Sequence, residues 1–126
     1  MTISDPSPET IRLTQKSALI ADHWNPRIIA RYNGNEVRLV KIQGAFTWHH
    51  HVNSDELFLV LEGSFEMEFR DKVETLTAGD MIVVPRGVEH RPRAQQECLL
   101  LILDQEGEPN TGENPSHMTR EELSTL

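Results

Sequence analysis

Between Glu36 and Leu103 the chain is cut into short extended segments by glycine, proline and aspartate turns, a pattern that leaves little room for anything but β-structure. Strands are expected at Glu36–Gln43, Phe46–Val52, Glu56–Glu62, Ser64–Arg70, Val73–Leu76, Met81–Val84, His90–Arg93 and Glu97–Leu103. Ser64–Arg70 shows the period most plainly: Phe65, Met67 and Phe69 alternate with Glu66, Glu68 and Arg70, as in a strand buried on one face. Asp71-Lys72 and Ala78-Gly79-Asp80 are turns, and Pro85 ends or edges the strand before it. No long helical period and no solenoid repeat competes, so the fold class is all-β, a sandwich or barrel.

Two of these strands do not alternate. Leu57-Phe58-Leu59-Val60-Leu61 and Cys98 to Leu103 are apolar on both faces, so both faces need cover. A single barrel covers only the inner one. The outer face calls for a second sheet, the N-terminal arm or another copy of the chain, and a homodimer is the expectation.

The flanks read differently. Residues 1–10 are polar, with Pro6 and Pro8, and form a loose arm. Ile11–Leu13 is expected as a short strand, Thr14–Ile20 as a short helix or extended segment, and Ile28–Tyr32 as a strand closed by Asn33-Gly34-Asn35. The tail from Glu106 is rich in Glu, Pro, Asn and Gly. It is expected to be partly disordered, with one helical turn near Thr119 at most. The resulting division is an arm over 1–35 packing on the barrel or a partner, a barrel over 36–104 and an acidic tail over 105–126.

The 126 residues suffice for one domain with a real core. Twenty acids face twelve bases, a net charge of −8, without any basic stripe. That charge excludes nucleic acid as the natural partner, because phosphate contacts dominate such binding. No apolar run is long enough to span a membrane, and Met1–Ser17 lacks the pattern of a secretory leader, so a cytoplasmic location is expected. The single Cys98 sits in an apolar run and reads as a buried thiol.

The chemistry concentrates in Trp48-His49-His50-His51-Val52-Asn53-Ser54-Asp55-Glu56 and in Pro85-Arg86-Gly87-Val88-Glu89-His90. Side chains two apart in a strand share a face at a backbone distance of about 7 Å. His49 and His51 therefore point together, while His50 points away. A turn at Asn53-Ser54-Asp55 lets Glu56 face the same interior, and the turn at Pro85-Arg86-Gly87 can bring in His90. Three imidazoles and one carboxylate suit one divalent Fe, Mn, Ni, Co or Zn ion, with positions left open for other ligands. Asp55 either hydrogen-bonds a ligand histidine or caps its turn. Trp48 is expected on the outer face, and His23 and His117 in loops or on the surface.

These two segments resemble the paired motifs of the cupin superfamily. The first reads Gly44, four residues, His49-His50-His51, four residues, Glu56, six residues, Gly63. The second reads Gly79, five residues, Pro85-Arg86-Gly87, two residues, His90. The first gap is one residue short, Ala94 replaces the asparagine that closes the second motif, and only fifteen residues separate Gly63 from Gly79. Asp22 to Ala30 and Asn110-Thr111-Gly112 also resemble stretches of small bacterial cupins often labelled mannose-6-phosphate isomerase-like. The resemblance implies a double-stranded β-helix, or jelly-roll barrel, usually dimeric, with His49, His51, Glu56 and His90 as the metal ligands.

Two functions are compatible with it. One is a metal-dependent enzyme on a small organic acid or sugar derivative, with oxygenase, isomerase, epimerase or lyase chemistry unresolved. The other is a non-catalytic module that binds a small ligand. Thr47, Phe58 and Val60 should share the ligand face, with Phe65, Met67 and Phe69 also inward, which makes the lining mostly apolar. An inward arginine would favour an acid substrate. Arg38 and Arg93 are the candidates, and arginine at such positions is ordinarily a surface charge. No residue is assigned a catalytic role, and no organic cofactor is implied.

Overall fold

A computed structural model describes residues 7–126, and the first six residues of the expected loose arm lie outside it. One short helix, α1 (Leu13–Ser17), precedes seven strands: β1 (Arg27–Tyr32), β2 (Asn35–Ala45), β3 (Glu56–Glu62), β4 (Ser64–Phe69), β5 (Val73–Thr77), β6 (Met81–Val84) and β7 (His90–Gln105). No helix among the described residues is long and apolar enough to cross a membrane.

All pairings between strands are antiparallel. One layer runs β1-β2-β7-β3-β6, while β4 pairs with β5 and with the first residues of β7. β7 stitches the layers together. His90–Arg93 pairs with β4, and Leu99–Leu103 pairs with β3, with β2 alongside both parts. Two strands were expected here. The interruption at Ala94–Gln96 is absorbed instead by a bulge, where the β2–β7 register shifts between Ile42 and Gly44.

The main core lies between the layers. Val40, Ile42, Phe58, Val60, Phe65, Met67, Leu76, Val84, Cys98 and Leu100 are all buried there. Phe58 of β3 and Phe65 of β4 meet across it at 6.3 Å between ring centroids. The inward parity of Phe58, Val60, Phe65 and Met67 is as expected, whereas Phe69 is only half-buried. Burial also pushes the Cys98 thiol up to about 11, so it is an inert core group. The β3–β4 hairpin depends on Gly63. Its φ is +83°, and a Cβ there would lie 2.9 Å from the Glu97 carbonyl oxygen.

A second apolar cluster covers part of the outer face. Ile20, Ile29 and Leu39 are buried with Leu13, Val37, Leu61, Leu101 and Leu126 against them. The chain's own arm thus supplies cover for Leu61 and Leu101. Ile11–Leu13 does not form the expected strand. Leu13 enters α1, and Ile11 stays exposed outside any strand.

The acidic tail departs from expectation. It is no loose end: Glu108, Asn110 and Thr111 are buried, and Leu126 N donates to Ile28 O. It forms turns and no helix near Thr119. There the Thr119 hydroxyl accepts from Ser116 N and bonds the Thr111 hydroxyl, satisfying locally the groups a helix would have paired.

Candidate metal centre

His49, His51, Glu56 and His90 converge. Each offers one ligand atom, the four atoms lie within 4.8 Å of one another, and all four residues are buried. Glu56 opens β3 beside the last residues of β7, His90 opens β7 beside the end of β4, and the passage of β7 from one layer to the other lets the two meet. The histidine segment reaches them by another route than the one expected. Phe46–Val52 is a loop and not a strand. Phe46 N donates to Pro92 O, and His49 and His90 exchange both backbone hydrogen bonds, at 3.1 and 2.9 Å. Pro92 has no N–H to return, so the ladder cannot continue. The Gly87 N–H then donates to His51 O at 2.6 Å and draws the Pro85-Arg86-Gly87 turn onto the same segment.

The three imidazoles share one orientation. Their Nδ1 atoms face outward to Thr47 O (2.9 Å, His49), Glu108 Oε1 (3.0 Å, His51) and Val88 O (2.9 Å, His90). Each Nδ1 therefore carries a proton as donor, which leaves Nε2 as the inward nitrogen that a metal could take. Glu56 Oε1 lies 3.3 Å from Nε2 of both His51 and His90. The buried Nε2 of His51 has no hydrogen-bond partner among the described residues. A buried nitrogen lone pair without a partner is costly in a finished protein, and a cation at this point would satisfy it. The donor set thus fits a divalent metal ion.

The electrostatics follow from burial and crowding. Burial, with His90 adding to it, lowers the His49 pKa to about 4. Burial also opposes the charge of His51, but Glu56 and Glu108 outweigh it and raise the pKa. For Glu56, burial favours the neutral acid, yet His51 and His90 hold the carboxyl well below the usual range. Asp104 goes the other way: burial first, then the neighbouring Glu56 charge, pushes it well above.

Several residues took places the sequence did not indicate. Arg38 is not a surface charge but is 1% exposed. Its Nε and Nη2 donate to Glu36 Oε1, its Nη1 to Asp104 Oδ2 at 2.9 Å, and its Nη2 also to Glu108 O. Arg93 does lie on the surface, bonded to Glu66. Asp55 touches no histidine. It accepts from the Arg86 N–H at 2.9 Å and so ties its own turn to the Pro85-Arg86-Gly87 turn, which neither expectation foresaw. The carboxylate that meets the outer nitrogen of a clustered histidine is Glu108, 57 residues from His51 in the chain. His50 stays out of the cluster, its N–H bonded to Asn114 Oδ1. Trp48 lies beneath the guanidinium groups of Arg70 and Arg91, at 3.8 and 5.3 Å. His117 is exposed, and His23 pairs with Glu97.

A cavity of about 40 Å³ adjoins the cluster, walled by Trp24, Phe46, Phe58, Val40, Ile42 and Leu100 together with His49, Glu56, Arg38 and Asp104. Trp24 stacks on Phe46 at 4.8 Å, and Phe46 meets His49 edge-on at 5.1 Å. In the sequence Trp24 stood out only as part of the Asp22 to Ala30 stretch. That stretch is what delivers it, since Trp24 takes the left-handed conformation at φ 57° and its Nε1 donates to Gln43 O at 2.8 Å.

Comparison with known proteins agrees with this architecture. Residues 36–104 match the cupin domain family. The uncharacterized protein YdbB of Bacillus subtilis is 40% identical over 77 residues, covering 60% of this chain and 68% of that protein. Among solved structures, a cupin-2 domain containing protein from Shewanella frigidimarina superposes with a TM-score of 0.75 at 45% identity, covering 75% of this chain and 93% of that one. Protein NMB1881 from Neisseria meningitidis gives 0.72 at 40% identity, covering 77% and 99%.

Proposed function

The chain belongs to the cupin family, and from that premise we propose that it binds one divalent metal ion through His49, His51, Glu56 and His90 and acts as a metal-dependent enzyme on a small organic molecule. The observation that carries this reading is the shared orientation of the three histidines, each with Nδ1 tied outward and Nε2 turned towards Glu56. A core histidine retained only for packing has no need of two like it aimed at one point. Fe, Mn, Ni, Co and Zn all suit such nitrogen and oxygen donors. Bound there, the ion would supply Lewis-acid polarisation of a substrate oxygen.

The protein's own groups set what can reach that point. The cavity holds roughly three water-sized groups at about 10–15 Å³ each, so only the reacting end of a substrate enters it. Trp24, Phe46 and Phe58 give that end an apolar wall and exclude water. Arg38 is inward but gives four of its five N–H groups to Glu36, Asp104 and Glu108. An organic acid would therefore present its carboxylate to the ion and not to Arg38, and a sugar derivative would present a hydroxyl or carbonyl oxygen.

A homodimer belongs to the same reading. The outward rows Val37-Leu103-Leu57-Val83 and Leu39-Leu101-Leu59-Met81 run across four strands. The arm covers one end of them and leaves Met81 at 60% and Val83 at 48% exposed. Light scattering at twice 14.4 kDa is the expected result, and a monomer would overturn it.

Elemental analysis of untagged protein tests the metal. A folded chain that carries none, and takes up none of Fe, Mn, Ni or Zn, would sink the proposal. Oxygen uptake and sugar-phosphate isomerisation, assayed with the metal restored, then test turnover, which His90→Ala should abolish in a still-folded protein. Metal without any turnover would point instead to a small-ligand-binding module.

A further inference from the structure

We infer that the acidic tail is part of the metal site, and that Glu108 is the positioning residue that sets His51 as a ligand. The inference rests on the metal-binding reading above and extends it to residues outside both histidine motifs. Glu108 Oε1 lies 3.0 Å from His51 Nδ1, and Glu108 is 8% exposed. His51 is the one hydrogen-bond or ion-pair partner of its carboxylate among the described residues. A buried carboxylate costs several kcal/mol unless a positive charge offsets it. A cation on the far nitrogen of the same ring supplies such a charge, because the ring passes the polarisation between its two nitrogens.

The surroundings hold Glu108 in this pose. Its backbone oxygen accepts from the buried Arg38 Nη2 at 2.9 Å. The next turn clasps the histidine segment itself: Glu113 N donates to His50 O at 2.9 Å, and Asn114 Oδ1 accepts from His50 N at 3.1 Å. Between them Gly112, at φ +55°, packs directly on the His50 carbonyl, where no Cβ fits. Asn110 locks the strap from behind, donating to Met118 O and accepting from Arg120 N. The other two ligand histidines lean on the carbonyls of Thr47 and Val88, each two residues away in the chain, and need no strap. His51 alone takes its outer partner from a distant segment, and that partner alone carries charge.

Zinc affinity, measured by chelator competition on the full chain, tests this. Removing such a partner typically costs 10–100-fold in metal affinity. Glu108→Ala is expected to fall in that range. Glu108→Gln keeps the shape and an acceptor oxygen but not the charge, so it should fold as the wild type does and recover part of the loss. Asp55→Ala, which removes a carboxylate next to Glu56 in sequence but bonded to Arg86, should bind zinc as the wild type does. If wild-type protein binds no zinc, the metal reading itself fails. If wild type binds zinc and both Glu108 variants bind it equally well, the positioning role is overturned, as it is if Asp55→Ala loses as much as Glu108→Ala.

Discussion

Two buried polar clusters lie side by side at one end of this barrel, and they are finished to different degrees. In the first, Arg38 spends its N–H groups on Glu36, Asp104 and the Glu108 carbonyl. In the second, three histidines and Glu56 satisfy their outward atoms and leave the inward ones facing one another. Each keeps one buried atom without a partner among the described residues, Asp104 Oδ1 in the first and His51 Nε2 in the second. Only the second gathers four ligand atoms within 4.8 Å of one another. A buried charge held by its ion pairs is architecture, and a buried cluster with an open centre is a site.

The sharpest way to break this comparison is to remove the cation of the finished cluster. Arg38→Ala leaves Glu36 buried without its strongest partner and should cost about 3–5 kcal/mol in urea denaturation. A loss under about 1 kcal/mol would mean the cluster is not a structural unit.

Next comes the pH response of the open cluster. The His49 pKa is 6.5 unfolded and about 4 folded. The unfolded chain therefore binds the extra proton between those values, and stability rises with pH across the window. His49 contributes about 3 kcal/mol above pH 6.5, lost as pH falls towards 4. The raised His51 pKa acts in the opposite sense, adding stability at low pH that is lost as pH rises through its folded value. The wild-type minus His49→Asn difference in metal-free protein isolates the first effect. A difference that does not change between pH 7 and pH 4 would contradict it.

A smaller effect is expected where the strap meets the histidines. Gly112→Ala forces a left-handed alanine against the His50 carbonyl and should cost about 1–3 kcal/mol in thermal unfolding. Smallest of all is Arg93→Ala. Its pair with Glu66 is about half exposed, so the change should stay within about 0.5 kcal/mol. An Arg93 effect as large as that of Arg38 would erase the distinction between buried and exposed pairs.

The open cluster was legible in the sequence because its residues are tied to turn glycines at fixed spacing. Even so, the parity argument for His49 and His51 reached the pair that converges through a strand that is in fact a loop. The finished cluster left a fainter trace. Arg38 shares parity in β2 with the buried Val40 and Ile42, and Asp104 in β7 with Leu100 and Ile102. Val37, Leu39 and Leu101 are apolar on the opposite face, which hid which side was inward. The tail was the least legible part. Its composition is that of a disordered segment, and its order depends on single bonds to partners far away in the chain, such as Glu108 to His51.

β7 begins at His90, pairs with β2, β3 and β4, and ends beside Asp104. It is also the last of the seven described strands in chain order. A nascent chain that has not yet delivered it has one open edge on each of three strands and only three of the four candidate ligands. Closing the barrel, burying the core and assembling the site are then a single late event, reached through contacts distant in sequence. The metal can reward folding only at its last step, and until that step every intermediate exposes unpaired edges open to aggregation.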